Sequence, residues 1–172
     1  MKKSIISFAV CFFLTGNVFS QREFVGDEQI VEEKVVEEKM VEEEEVVLAW
    51  EANFKQALRK SKKEKKPILI YFTGSDWCGP CKVLDKKLFH TDKFKGLADK
   101  DLILYEADNP RNKGLVDSYK LKENLKLIRK YNVKSYPTLV LVNHKGKMIG
   151  YKKGLILTEY YYPFIQSVIE NY

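Results

Sequence analysis

The chain has 172 residues, a formal charge of +6, and 45% hydrophobic residues. That average hides two opposed parts: residues 21–48 hold eleven acidic and three basic residues, whereas residues 49–172 hold 25 basic against 13 acidic. The basic excess does not mark a nucleic-acid surface, because the lysines are scattered among expected helices and loops instead of clustering with aromatics; a solvated, lysine-rich face accounts for them.

Residues 1–20 carry a secretory signal pattern. Lys2 and Lys3 precede an apolar stretch from Ile5 to Leu14, and small or polar residues end in Val18-Phe19-Ser20, with cleavage expected after Ser20. The stretch is too short for a permanent membrane anchor. Cys11 invites a lipid-anchor reading, but Phe8-Ala9-Val10 in front of it fits that processing poorly.

The acidic part repeats a loose five-residue unit, Ile30-Val31-Glu32-Glu33-Lys34 and then Val35-Val36-Glu37-Glu38-Lys39. Its apolar pairs give no clean stripe at helical or strand period. A low-complexity tether over 21–48 is expected, with an arm that folds back or binds a partner as the alternative. The remaining length suits one domain, 49–172.

Within that domain, Trp50, Phe54, Ala57 and Leu58 predict an amphipathic helix over 50–62, ended by a lysine run and Pro67. Ile68 to Phe72 reads as a buried strand, and Thr73-Gly74-Ser75-Asp76 as the loop after it. A helix begins near Cys78 with Val83, Leu84, Leu88 and Phe89 as its apolar face. A strand from Leu102 to Tyr105 ends in Glu106-Ala107-Asp108, and a polar stretch fills Asn109 to Lys120. A helix over 121–131 directs Leu125, Ile128 and Tyr131 inward. A strand from Thr138 to Val142, a hairpin at Asn143-His144-Lys145-Gly146, a strand over 147–151 and a terminal helix over 157–169 complete the chain. The order predicts a mixed sheet with helices on both faces.

Trp77-Cys78-Gly79-Pro80-Cys81 stands at the strand-to-helix junction. Two thiols at this spacing form a redox device: free N–H groups and the helix dipole stabilise a Cys78 thiolate, and Cys81 lies one turn on to close a disulfide. Structural zinc needs four ligands, and neither His90 nor His144 has ligand spacing with the pair. An inert disulfide staple is the remaining alternative. With the leader removed, no third cysteine is left to compete for the pair.

From about Trp50 to its end the chain resembles the thioredoxin fold, specifically the exported thioredoxin-like proteins of Bacteroidetes-type bacteria. The resemblance rests on Trp77 to Cys81, on Tyr136-Pro137-Thr138 that begins 55 residues after Cys81, and on Gly154 after the hairpin. A longer segment from Asp108 to Lys120 is also common in that group. The resemblance implies an α/β fold with a central mixed β-sheet flanked by helices on both faces. It further implies that Pro137 is cis and lies beside the cysteines, and that Trp77, Gly79, Pro80, Tyr136, Pro137 and Thr138 form the substrate groove. Cys78 would attack a substrate disulfide and Cys81 would resolve the mixed disulfide.

One departure bears on proton transfer. The family's buried aspartate is missing, Tyr71 aligns with its position, and no residue from Pro67 to Ser75 is acidic. A phenol is a poor base at neutral pH. Glu106 is the candidate substitute, and Asp76 a candidate for tuning Cys78. Gly79-Pro80 matches reducing members of the family, so reduction of exported disulfide-containing proteins is expected, recharged by a membrane or periplasmic electron donor. A disulfide oxidase or isomerase, or a binding and assembly module, is the alternative. No cofactor, metal, nucleic acid or transmembrane anchor in the mature chain is expected, and the location is the periplasm or otherwise exported.

Overall fold

The structure is a computed structural model describing residues 46–172. The expected leader, Cys11 and the five-residue repeats lie outside the described residues.

The first helix, α1 (Phe54–Glu64), starts later than its periodicity predicts, because Asn53 caps it: the Asn53 side chain accepts from Gln56 N at 2.9 Å. Trp50 is therefore not helical. It forms an isolated parallel bridge with Leu104, and its ring meets Phe89 edge-on at 5.5 Å. Lys65, in the left-handed region at φ 56°, ends the helix ahead of Pro67.

Strand β1 (Ile68–Thr73) is buried along its whole length. Its neighbours are β2 (Ile103–Asp108), parallel to it, and β3 (Thr138–Val142), antiparallel; β4 (Met148–Lys153) pairs antiparallel with β3 to give the order β2-β1-β3-β4. Side chains alternate between two cores, as strand geometry requires. Ile68, Ile70 and Phe72 face α1 and the helix α4 (Ser118–Lys130), alongside Phe54, Ala57 and Leu127. Leu69 and Tyr71 face the other layer, made by α2 (Gly79–Leu84), α3 (Asp92–Asp101) and α5 (Tyr161–Glu170).

Four expectations are corrected in detail. The helix after the cysteines is not continuous: a π-helical turn at Asp85–Phe89 follows α2, and Thr91 starts α3 by accepting from Phe94 N at 3.3 Å while donating to Leu88 O at 2.7 Å. Leu84, Leu88 and Phe89 are buried as predicted, but Val83 is exposed. Helix α4 begins three residues early, on an Asp117 cap, and buries Asn124 and Leu127 while Leu125 is only half-buried. Finally, the terminal helix begins at Tyr161 after a 3-10 turn at Thr158–Tyr160.

Candidate active site

The site grows from the end of β1. After Thr73 the chain must turn sharply, and Gly74 sits against the Trp77 indole so closely that a Cβ there would lie 2.3 Å from Trp77 Cε2. Asp108, at the end of β2 beside Thr73, accepts from Ser75 N at 2.9 Å and Ser75 Oγ at 2.6 Å. Gly74 O then receives both Trp77 N and Cys78 N. These bonds deliver Cys78 to the N-cap of α2, where its sulfur accepts from Cys81 N at 3.2 Å. Cys78 and Cys81 are joined as a disulfide, with Cα atoms 5.2 Å apart. Both cysteines are buried, while Gly79 and Pro80 are exposed in the first turn of α2, where Pro80 costs no hydrogen bond.

The second strand of the site arrives by topology. Thr138 pairs with Phe72, so Tyr136 and Pro137 lie at the sheet end that carries the cysteine loop, and the Tyr136–Pro137 bond is cis. Tyr136 meets Trp77 edge-on at 5.4 Å between ring centroids. Thr138 Oγ1 donates to Ser135 O at 2.8 Å and fixes the turn before the strand. Gly154, at φ 77°, donates its N–H to Pro137 O at 2.7 Å, a backbone conformation that favours glycine.

Beneath the pair, Tyr71 is buried and its hydroxyl donates to Cys81 O at 3.1 Å. Burial pushes its pKa far above the ordinary phenol value. Glu106, its register partner on β2, is half-buried, and burial followed by the Asp108 charge raises its carboxyl pKa, against the opposing pull of Lys120. Asp85, one turn beyond Cys81, donates its own backbone N–H to Cys81 O.

Asp76 is held by the segment after β2. Its two oxygens accept from Arg111 N and Asn112 N, each at 2.9 Å, and these bonds, that of Asn112 first, hold its carboxyl below the usual range. Sequence reasoning did not single out Gly74, Asp108, Asn109 or Arg111 for the site. Trp77 Nε1 donates to Asn109 O at 3.0 Å, and the Arg111 guanidinium lies 5.4 Å from the centre of the Trp77 ring. Only the length of the polar stretch after β2 hinted at such contacts. Among the described residues no cluster of three or more His, Cys, Asp or Glu could hold a metal ion, and no helix is long and apolar enough to cross a membrane.

A helix capped by one cysteine of a CxxC disulfide, at the same end of a mixed sheet as a cis-proline turn, is the arrangement of the thioredoxin fold. The chain belongs to the thioredoxin-like domain family, whose model matches residues 54–168. It is 34% identical over 110 residues to the disulfide bond reductase DsbH of Chlamydia pneumoniae, covering 62% of this chain and 65% of that protein. It is also 28% identical over 102 residues to the thioredoxin-related protein DsbJ of the same organism, covering 59% of this chain and 29% of DsbJ. The match thus spans less than two thirds of either relative's length. A solved DsbH oxidoreductase superposes with a TM-score of 0.66 at 30% identity, over 72% of this chain and 85% of that one. A thioredoxin from Thermus thermophilus shares the fold, with a TM-score of 0.56 at 17% identity over 70% of this chain and 86% of that one. This homology and the Cys78–Cys81 disulfide support thiol-disulfide oxidoreductase chemistry.

Proposed function

We propose that this protein is a thiol-disulfide oxidoreductase that reduces disulfides in exported proteins. The observation that carries this is the Cys78–Cys81 disulfide at the cap of α2, at the same sheet end as the Tyr136–Pro137 turn. In the reduced enzyme the Cys78 thiolate attacks one substrate sulfur, forming a mixed disulfide and expelling the other sulfur as a thiolate. Cys81, having lost its proton, attacks Cys78 Sγ. The second substrate thiolate leaves, the enzyme disulfide re-forms, and two electrons have passed to the substrate. An external dithiol donor must then return two electrons to the enzyme.

Trp77, Gly79, Pro80, Tyr136, Pro137 and Thr138 form the groove in this reading. Tyr71 cannot serve as a base at neutral pH, since burial holds its proton more firmly. Its role is to hold the Cys81 carbonyl. Glu106, on the same side of the sheet and with its carboxyl pKa raised, is the group assigned to accept the Cys81 proton. The proposed organisation is a leader over 1–20, an acidic tether over 21–48 and the catalytic domain over 49–172, with the mature protein exported. The reductase name of the Chlamydia relative and Gly79-Pro80 between the cysteines support the direction of electron flow.

Redox titration with alkylation of the cysteines tests direction. A midpoint near the roughly −270 mV of thioredoxin is expected, whereas one near the roughly −120 mV of a strong oxidant reverses the proposed flow. Cys81→Ser should trap a mixed disulfide with substrate and Cys78→Ser should not. Failure of both variants to trap, with no reduction of an insulin-type disulfide, leaves a binding module.

A further inference from the structure

The exchange chemistry makes no use of residues 111–113, yet they are fixed to the loop that carries the cysteines. Asp76 takes two of their backbone N–H groups, at Arg111 and Asn112, and Lys113 Nζ donates to Asn109 Oδ1 at 3.0 Å. The start of this arm is thus held through its backbone and its neighbours, and the Arg111 side chain is not needed to hold it.

That side chain is instead exposed over the Trp77 indole, 5.4 Å from its centre, with no ion pair among the described residues. Contact with an aromatic face restricts the guanidinium, so less freedom is lost when it engages a second group. The nearby carboxylate of Asp76 accepts from two backbone amides; its charge attracts the Arg111 guanidinium, but the two form no ion pair, so the guanidinium keeps its donors for another group. Lys82 on α2 and Lys86 and Lys87 on the π-helical turn after it are exposed and carry charge of the same sign. A polypeptide lying across Trp77 to reach Cys78 therefore meets a preorganised planar cation that matches a carboxylate in shape and charge.

We propose that Arg111 is a specificity-determining residue that selects disulfides flanked by an acidic side chain, an assignment that rests on the reductase reading. The acidic group engages the guanidinium while the neighbouring sulfur is presented to Cys78. A lysine at the same place is repelled.

The test uses the full-length chain and three synthetic disulfide-bonded peptides that differ only in carrying Glu, Gln or Lys beside the cystine. Wild type should reduce the Glu peptide with kcat/KM about fivefold above the Lys peptide at low salt, the advantage shrinking as salt is added. Arg111→Gln should bring the three rates together by slowing the Glu peptide and speeding the Lys peptide. Arg111→Lys should restore part of the preference, and the midpoint potential should be the same in all three proteins. Equal rates for wild type on every peptide overturn the proposal, as does a preference that survives in Arg111→Gln. A uniform loss of rate in Arg111→Gln also overturns it, since that marks a structural role. A wild-type chain that reduces no peptide sinks the reductase reading itself, which separates the two failures.

Discussion

Tyr71 and Glu106 stand side by side on β1 and β2, facing the layer that holds the cysteines, and burial raises the pKa of both. For Glu106 the sign is definite: a carboxyl whose folded pKa is raised contributes its full stability below its unfolded pKa and loses it as pH rises through the folded pKa. Glu106→Gln should therefore raise the melting temperature at pH 7 relative to wild type and gain nothing at pH 4, as read by thermal unfolding at the two pH values. If Glu106 takes the Cys81 proton, the same variant should also accumulate mixed disulfide in quenched-flow experiments while the midpoint potential stays put. Tyr71→Phe should behave differently. It removes one hydrogen bond to Cys81 O, at a cost of about 1 kcal/mol, but Asp85 N still donates there, so the pH profile of turnover should keep its shape.

At the scale of elements, helix α4 is tied to the sheet and to the start of α1 by a largely buried polar network. Asn124 is fully buried, and its Nδ2 donates to Asp108 O at 2.8 Å, next to the residue pair that holds the active-site loop. The Tyr105 hydroxyl lies 2.7 Å from Asn124 Oδ1 and 3.0 Å from Glu123 Oε2, and the latter oxygen also accepts from Phe54 N. One side chain thus links α4, β2 and, through Glu123, the start of α1. Asn124→Ala leaves a strand carbonyl without its buried donor and should cost about 2 kcal/mol in urea unfolding with the m-value unchanged. Leu125→Ala, one residue away but half-buried, should cost clearly less. An equal loss at both positions would mean that the network adds nothing beyond packing.

For the molecule as a whole, the folded unit draws on residues upstream of its first helix. Leu48 packs against the core that contains the cysteines, Trp50 bridges to Leu104, and Glu51 N donates to Leu104 O at 2.9 Å. Deleting residues 21–46 should leave cooperative unfolding and dithiol exchange intact, whereas deleting 21–51 should lower stability by several kcal/mol through loss of Trp50 and the Glu51–Lys60 ion pair at 2.7 Å. Circular dichroism melts of the two truncations decide this. Loss of cooperativity in the shorter deletion would make the acidic stretch part of the core.

Much of the fold was legible because its signals are local. A run of apolar residues from Ile68 to Phe72, the CxxC at a strand end and Pro137 before another apolar run are each defined by neighbours in the chain, and period and turn chemistry carry them. Boundaries failed where a cap or a distant partner overrode the period. Asn53 and Thr91 start helices inside or beyond the apolar pattern, and Asn124 takes an inward position that polarity argues against, because Tyr105 and Asp108 O satisfy it. The surroundings of the cysteine pair depended on tertiary structure in the same way. Asp76 reaching Arg111 and Asn112, or Trp77 reaching Asn109, joins residues more than thirty positions apart. The sequence alone determined which two sulfurs pair in the disulfide, since cysteine spacing is a local property. Only the folded sheet decided what surrounds them, because parallel pairing of β1 with β2 is what brings the two loops to the same edge.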